Sequence, residues 1–321
     1  MRLRRSLILL MAAARVSAQP APASLAERLG FAPDSKILII NADDAGLLHA
    51  ENVATLEAMK GGLVGSATVM TPSPWFPELA ALAEANPQLD FGVHLTFTSE
   101  WEGYRYGPVL GASAVPSLVD RRGYLFSSVA AFHGNATPAD AEAEGRAQIQ
   151  RALDAGIDVT HLDMHMHALG LDPRFFGVYL RLAEQFDLPV RFIPPSEELR
   201  QTQADSLRNA GIIFQDRIIV GADQEPGETL QAYWRRKLRQ LRPGVTELYV
   251  HLAVDGPELR TMTGDEAFRT GWRDRVEEHR IFTSDPELKR ILAAEGVKVL
   301  RWKDLRELQR KERSARAKAR G

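Results

Sequence analysis

The sequence lacks cysteine altogether, although it has 321 residues. Disulfide bonds, thiolate ligands to zinc and cysteine nucleophiles are therefore excluded. The absence also fits an oxidising compartment, where a spare thiol is a liability. An excess of positive charge is missing too, since the formal net charge is −2. A mildly acidic chain has no electrostatic reason to bind nucleic acid.

The first 18 residues have the pattern of a signal peptide. Three arginines lie among the first five residues, and a short apolar stretch follows over residues 6–14. This stretch is too short to span a bilayer, and no later segment is apolar enough to do so. Val16 and Ala18 suit the −3 and −1 positions of a cleavage site, so we expect cleavage after Ala18 and export to the periplasm or the exterior. The alternative is an uncleaved N-terminal helix or anchor.

Strand and helix patterns alternate between about residues 36 and 312. The run Ile37-Leu-Ile-Ile40 is apolar throughout, as in strands that are buried on both faces of a parallel sheet. Seven or eight strands, most of them followed by a helix, predict an α/β fold, either a β/α barrel or a doubly wound sheet. The predicted strands lie at residues 37–40, 66–70, 90–97, 157–163, 188–193, 246–252 and 297–300, with 212–214 and 217–220 as short candidates.

The predicted helices lie at residues 51–60, 75–84, 137–155, 173–186, 227–241, 265–280, 285–294 and 302–309. Residues 98–137 interrupt the alternation with several glycines and prolines, which predicts a long loop of the kind that often carries function. We expect one domain over residues 36–312. A linker and N-terminal segment at 19–35 would precede it, and a frayed basic tail at 313–321 would follow it.

Polar clusters follow several predicted strands at their carboxyl ends. They are Asn41-Ala-Asp-Asp44 after the first strand, His94 on the third, His161-Leu-Asp-Met-His-Met-His167 on the fourth, and His251 at the end of a later strand. In a barrel, the carboxyl ends of all strands meet at one mouth, where catalytic groups gather. The coincidence of these clusters predicts a functional site.

The histidine cluster has the most specific spacing. His161, Asp163, His165 and His167 occupy every second position, so an extended segment would point all four side chains to one face. Such convergence costs free energy unless a cation balances it. Imidazole with carboxylate suits zinc, iron, cobalt, nickel or manganese, and more oxygen ligands suit magnesium.

Structural explanations exist for each cluster taken alone. The histidine run is also compatible with a solvated loop, and Asp43-Asp44 with capping of the next helix. His94 alone is compatible with a buried core histidine. The remaining histidines receive no assigned role: His49, His133 and His279.

The motifs Asn41-Ala-Asp-Asp-Ala-Gly46, His94 within Gly-Val-His-Leu, and His161-Leu-Asp-Met-His-Met-His167 resemble those of the YdjC family of carbohydrate deacetylases. The resemblance covers nearly the whole chain after the predicted signal peptide. It implies a distorted β/α barrel, TIM-barrel-like, with parallel strands and outer helices. It also implies hydrolysis of the acetamide of an N-acetylated sugar or oligosaccharide, and a homodimer in some members.

The resemblance also implies roles for individual residues. Asp44, His94 and His165 would bind one divalent metal ion, with magnesium and zinc favoured, and Asp43 would be the general base. His251 would be the general acid, although Leu252 follows it where the family normally has proline. Ala45 follows the Asp pair where the family usually has an aromatic residue.

Residues around this centre receive supporting roles in our interpretation. His161 or Asp163 would orient His165, and His167 would belong to the same surrounding shell. Trp101 and Tyr104, in the long loop, would pack against a sugar ring; the alternative is that they only pack the loop onto the barrel. Arg191 would contact a polar or anionic substrate group or pair with a barrel carboxylate.

Three rival functions remain open at this point. Another metal-dependent hydrolase, a phosphoesterase or an amidase, would use the same barrel; the chain lacks a glycine-rich phosphate loop, which counts against nucleotide chemistry. A non-catalytic sugar or metal binder would need only one of the two aspartates, Asp43 and Asp44. Glycoside hydrolysis by two carboxylates would leave the histidine cluster unexplained.

Overall fold

The computed structural model describes residues 23–194, 196–220, 223–263 and 271–320. Within these residues, seven strands pair in parallel in one sheet. The strands are β1 (Lys36–Ala45), β2 (Ser66–Val69), β3 (Asp90–Leu95), β4 (Val159–Met164), β5 (Arg217–Ile219), β6 (Gly244–His251) and β7 (Lys298–Leu300).

Most strands are followed by one or more helices. Within the described residues, the α-helices are α1 (Leu25–Arg28), α2 (His49–Gly61), α3 (Phe76–Glu84), α4 (Val129–Asn135), α5 (Pro138–Asp154), α6 (Pro173–Phe186), α7 (Glu197–Ala210), α8 (Leu230–Arg239), α9 (Pro257–Thr263), α10 (Trp272–Ser284), α11 (Pro286–Ala294) and α12 (Trp302–Arg320). Short 3₁₀ turns lie at Pro116–Leu118 and His165–His167.

The sheet curls into a distorted barrel. Its strand order is β4-β3-β2-β1-β6-β5, and β7 pairs with the first half of β1. Irregular backbone links the two ends of this order: the amide of Arg191 donates to the carbonyl of Leu162 (2.9 Å), and the amide of Val190 donates to that of Ile213 (3.0 Å). The predicted distorted β/α barrel is confirmed.

The barrel interior is apolar at its amino end and polar at its carboxyl end. Ile37 and Ile39 of β1 pack at the amino end with Trp302, the first residue of α12. The Trp302 indole also stacks on His161 (4.8 Å between ring centres) and donates to Glu247 (3.0 Å). Trp302 therefore lies between the apolar amino end of the barrel and the polar side chains at its carboxyl end.

Several predicted elements differ from the structure. Residues 188–193 form a single bridge at Val190, and Ile213 only accepts a backbone hydrogen bond from it, so neither 188–193 nor 212–214 is a regular strand. The helices α1, α4, α7 and α9 were not predicted, and α1 lies in the segment predicted as a linker. The basic segment predicted to be a frayed tail continues α12 as far as Arg320. The predicted signal peptide lies outside the described residues. Among those that are described, no helix is both long enough and apolar enough to cross a membrane.

Two adjacent glycines end α2 where it meets α10, the helix that later supplies Arg275 to the site. A Cβ on Gly62 would lie 2.5 Å from the carbonyl oxygen of Phe282 and 2.7 Å from that of Ala58. A Cβ on Gly61 would meet no atom of the described structure within 4 Å. Close approach of the two helices therefore requires glycine at position 62 and not at position 61.

We expect Gly62→Ala to destabilise the protein by about 1–3 kcal/mol, because backbone atoms of α2 and α10 have to separate. Gly61→Ala is the matched control and should be neutral or slightly stabilising. Thermal unfolding of both variants measures the difference. Equal melting temperatures for the two variants would contradict this account of the helix contact.

Candidate functional site

Two consecutive aspartates reach the mouth of the barrel because the backbone of β1 is irregular there. Neighbouring residues of a regular strand point to opposite faces. The register between β1 and β2 shifts between Ala42 and Ala45, and Asp44 has a positive φ of 63°. Asp43 and Asp44 are 3% and 1% exposed and both line the same cleft. A left-handed residue at this position stores backbone strain, which is typical of functional sites.

Asp44, His94 and His165 converge on one point. Asp44 Oδ1 lies 3.3 Å from His94 Nε2 and 3.3 Å from His165 Nδ1, and the two nitrogens are themselves 3.3 Å apart. All three side chains are buried. Two ligand atoms about 2.1 Å from one metal ion, at a tetrahedral angle, lie about 3.4 Å apart. The triangle therefore has the dimensions of a metal-binding face.

The chemistry of the three atoms also fits a cation. Asp44 Oδ1 is buried and, among the described residues, accepts no hydrogen bond, which is costly for a carboxylate oxygen. A second group with suitable spacing consists of Asp43, His94 and Asp163, but Arg191 already binds both of its carboxylates. The first group is thus the better candidate for a divalent ion.

Each candidate ligand histidine has a carboxylate behind it. His94 Nδ1 lies 2.6 Å from Asp163 Oδ1, and the other oxygen of Asp163 accepts from Thr68 (2.8 Å). His165 Nε2 lies 2.8 Å from Glu100 Oε1. Our expectation that Asp163 or His161 would orient His165 is corrected here: Asp163 contacts His94, and Glu100 of the long loop contacts His165.

The alternation predicted for the histidine cluster holds only in its first half. His161 and Asp163 belong to β4, but the strand ends at Met164, and a 3₁₀ turn with Met166 and His167 in left-handed conformation follows. His161 therefore lies deep in the barrel against Trp302, and burial holds the pKa of its imidazole well below the ordinary range. His167 lines the cleft.

Asp43 is held by Arg191. The guanidinium donates to both Asp43 oxygens (2.6 and 2.7 Å), to Glu247 (2.9 Å), and pairs with Asp163 (2.8 Å). Burial alone would raise the pKa of Asp43, but the charge and hydrogen bonds of Arg191 outweigh it and lower the pKa to about 2. Arg191 is only 2% exposed, so the structure favours pairing with barrel carboxylates over contact with substrate.

Asp44 has its own arginine, which the sequence reasoning missed. Arg275 of α10 donates to Asp44 Oδ2 (2.8 Å) and to Glu51 of α2 (2.5 Å). Burial raises the pKa of Glu51 to about 8 despite this contact. Arg275 leaves the other oxygen of Asp44 directed at the histidines. No spacing pattern predicts the contact between Arg275 and Asp44, because the two residues are 231 positions apart in the chain.

The cleft above these residues has a volume of about 480 Å³. His251 lines it, opposite Asp43 in the β1–β6 register, and its Nε2 lies 3.9 Å from Asp44 Oδ2. Trp101 and Met166 contribute apolar surface at the mouth, and Met166 is 49% exposed. The cleft thus combines a charged floor with apolar walls, as small-molecule sites do.

The two aromatic residues predicted to contact sugar are placed differently. Trp101 lines the cleft, with its ring centre 5.9 Å from that of His165. The Tyr104 hydroxyl donates to the carbonyl of Leu47 (2.6 Å), and its ring packs on the core. Tyr104 therefore ties the long loop to the turn after β1, whereas Trp101 packs on the core and also lines the cleft.

Comparisons with known proteins find related sequences over most of this chain. A family model described as YdjC-like protein matches residues 37–294. A carbohydrate deacetylase of Thermus thermophilus is 34% identical over 289 residues, covering 88% of this chain and 98% of the relative. A carbohydrate deacetylase of Thermoanaerobacter pseudethanolicus is 29% identical over 236 residues, covering 73% and 88%.

A solved structure is also similar to this chain in fold and sequence. A protein of Enterococcus faecalis V583, provisionally named a cellobiose-phosphate cleavage protein, superposes with a TM-score of 0.72 at 29% identity. The match covers 84% of this chain and 99% of that one.

Proposed function

The chain belongs to the YdjC family, and we propose that it is a metal-dependent carbohydrate deacetylase acting on N-acetylated sugars or oligosaccharides. The triangle of Asp44, His94 and His165 carries the proposal, since it offers one carboxylate and two imidazoles at metal-binding distances. Three protein ligands with a free position are typical of catalytic metal sites. The names of the curated relatives supply the substrate class.

Amide hydrolysis needs a nucleophile, stabilisation of the charge on the carbonyl oxygen, and a proton for the leaving amine. When bound, a divalent ion supplies Lewis acidity, which polarises the acetyl carbonyl and acidifies the attacking water. Zinc and magnesium both remain candidates, because imidazoles favour zinc whereas carboxylates also suit magnesium.

Asp43 orients the attacking water and accepts its proton. Its pKa of about 2 keeps it ionised at physiological pH but also makes it a weak base. The bidentate contact with Arg191 holds the carboxylate in one orientation, so positioning makes a large part of its contribution. His251, on the neighbouring strand β6, donates the proton to the leaving amine.

Trp101 provides the apolar surface for the sugar ring at the mouth of the cleft. A metal-dependent phosphoesterase or amidase would use the same charged residues. Only the substrate that is hydrolysed distinguishes these rivals from a deacetylase. A non-catalytic binder is disfavoured because Asp43 lies in the cleft beside the metal triangle without belonging to it.

Acetate release from a panel of N-acetylated sugars, compared with chromogenic phosphoesters, tests the proposed reaction. We expect acetate release that a chelator abolishes and that added zinc or magnesium restores. Metal analysis of the purified protein should find about one ion per chain. Phosphoester hydrolysis without acetate release would refute deacetylation, and full activity in chelator would refute metal dependence.

Asp43→Asn should retain the metal ion and lose about 10²- to 10⁴-fold in turnover, because the water loses its orienting group and proton acceptor. Asp34→Asn changes the charge equally at an exposed position and is the matched control. Turnover and metal content are measured on both variants. Wild-type turnover in Asp43→Asn would show that Asp43 is not the base.

Trp101→Ala should raise the KM for N-acetylated sugars about 3- to 10-fold, because one aromatic contact contributes about 0.5–1.5 kcal/mol. Trp101→Phe keeps an aromatic surface and should lose less. Steady-state kinetics and thermal unfolding separate the two explanations of this residue. A lower melting temperature with unchanged KM would assign Trp101 to packing of the loop.

A further inference from the structure

Glu100 supports His165 from outside the set of residues that our sequence interpretation assigned to the site. Its Oε1 lies 2.8 Å from His165 Nε2, and it is the second residue after Thr98 in the long loop that follows β3. We propose that Glu100 is a positioning residue that fixes the tautomer and ring orientation of His165 at the metal site. This inference rests on the metal dependence proposed above.

The two ring nitrogens of His165 have opposite tasks. Nδ1 faces Asp44 Oδ1 and His94 Nε2, each 3.3 Å away, and must carry a lone pair to bind a cation. A neutral imidazole then carries its proton on Nε2, where Glu100 Oε1 accepts it. A carboxylate at this position selects the tautomer that ligation needs.

His94 shows the same design with its nitrogens exchanged. Its Nε2 faces the triangle, and its Nδ1 lies 2.6 Å from Asp163. His94 and Asp163 also lie opposite each other in the β3–β4 register, so the sheet itself holds this pair. His165 has no such support, because β4 ends at Met164.

The backbone at and beyond His165 is irregular. Met166 and His167 both have positive φ values, 52° and 55°, and non-glycine residues in this region are strained. Strand pairing therefore does not hold His165, and its ring is contacted by side chains of the long loop. Glu100 and the Trp101 ring, whose centre is 5.9 Å away, are two such neighbours.

The loop that carries Glu100 is fastened on both sides of it. The amide of Ser99 donates to the carbonyl of Phe126 (2.8 Å), and the Tyr104 hydroxyl donates to that of Leu47 (2.6 Å). The side chain of Glu100 is 21% exposed. A fastened, mostly buried carboxylate loses little freedom on making its hydrogen bond, so the bond contributes more than an exposed pair does.

Direct ligation by Glu100 does not fit the geometry. Its oxygen contacts Nε2, whereas the triangle uses Nδ1, and the lone-pair directions of the two ring nitrogens diverge. Contact with substrate is the remaining rival role, since Glu100 also lines the cleft. A substrate contact would change KM alone, whereas a positioning role changes metal affinity in the absence of sugar.

The experiment measures zinc affinity of the full-length, metal-free protein by competition with a chromogenic chelator. We expect Glu100→Ala to weaken zinc binding about 10- to 100-fold, as loss of partners behind metal ligands does. Glu100→Gln keeps an acceptor without the charge and should lose less. Glu102→Ala, at an exposed position of the same loop, is the matched control and should stay within about twofold of wild type.

His165→Ala separates failure of this inference from failure of the proposed function. If the wild type binds zinc, His165→Ala weakens binding and Glu100→Ala does not, the positioning role is overturned while the metal site stands. If His165→Ala binds zinc like the wild type, the metal site itself is wrong and the inference fails with it. Unchanged zinc affinity with a raised KM in Glu100→Ala would make Glu100 a substrate contact. Circular dichroism of the metal-free variants checks that each is folded.

Discussion

Two buried arginines allow the carboxyl end of the barrel to hold several acidic groups out of water. An unpaired buried charge costs several kcal/mol, so the acidic side chains require partners. Five carboxylates share Arg191 and Arg275, namely Asp43, Asp44, Asp163, Glu51 and Glu247. The effect is uneven: Arg191 lowers the pKa of Asp43 to about 2, whereas burial outweighs the same arginine and raises the pKa of Glu247 to about 7. Asp43 in the cleft therefore stays ionised, whereas Glu247 beside Trp302 takes up a proton more readily.

Backbone irregularity delivers the reactive groups to this charged layer. The register shift in β1 and the positive φ of Asp44 bring two adjacent aspartates to one cleft. The turn after β4 lets His165 reach the triangle from beyond the strand end. Each irregularity is unfavourable alone, and the ion pairs and hydrogen bonds around it offset that cost. Irregular backbone at the ends of β1 and β4 thus brings side chains to the same site.

The long loop after β3 places two neighbouring side chains at the candidate site. Glu100 lies behind a candidate metal ligand, and the next residue, Trp101, lines the mouth of the cleft. Two adjacent side chains of one loop therefore face different parts of the site. Glu100 faces His165, and Trp101 faces the cleft. Because the two residues are adjacent, a change in the loop backbone that moves Trp101 also moves Glu100. Several hydrogen bonds hold this segment, although it has little regular structure.

The sequence by itself determined the α/β class and the residue types at the strand ends, because apolar runs and alternation depend on near neighbours in the chain. The choice of a barrel over a doubly wound sheet came from the family resemblance. The sequence also placed polar clusters at or near the ends of several predicted strands, and the family resemblance singled out Asp44, His94 and His165 among them. Only the tertiary structure decided which group supports which. Glu100 lies 65 residues from His165, and Arg275 lies 231 residues from Asp44, and no local pattern reports contacts over such separations. Asp163 was assigned to the wrong histidine for the same reason: strand pairing sets its partner, and pairing is a property of the assembled sheet.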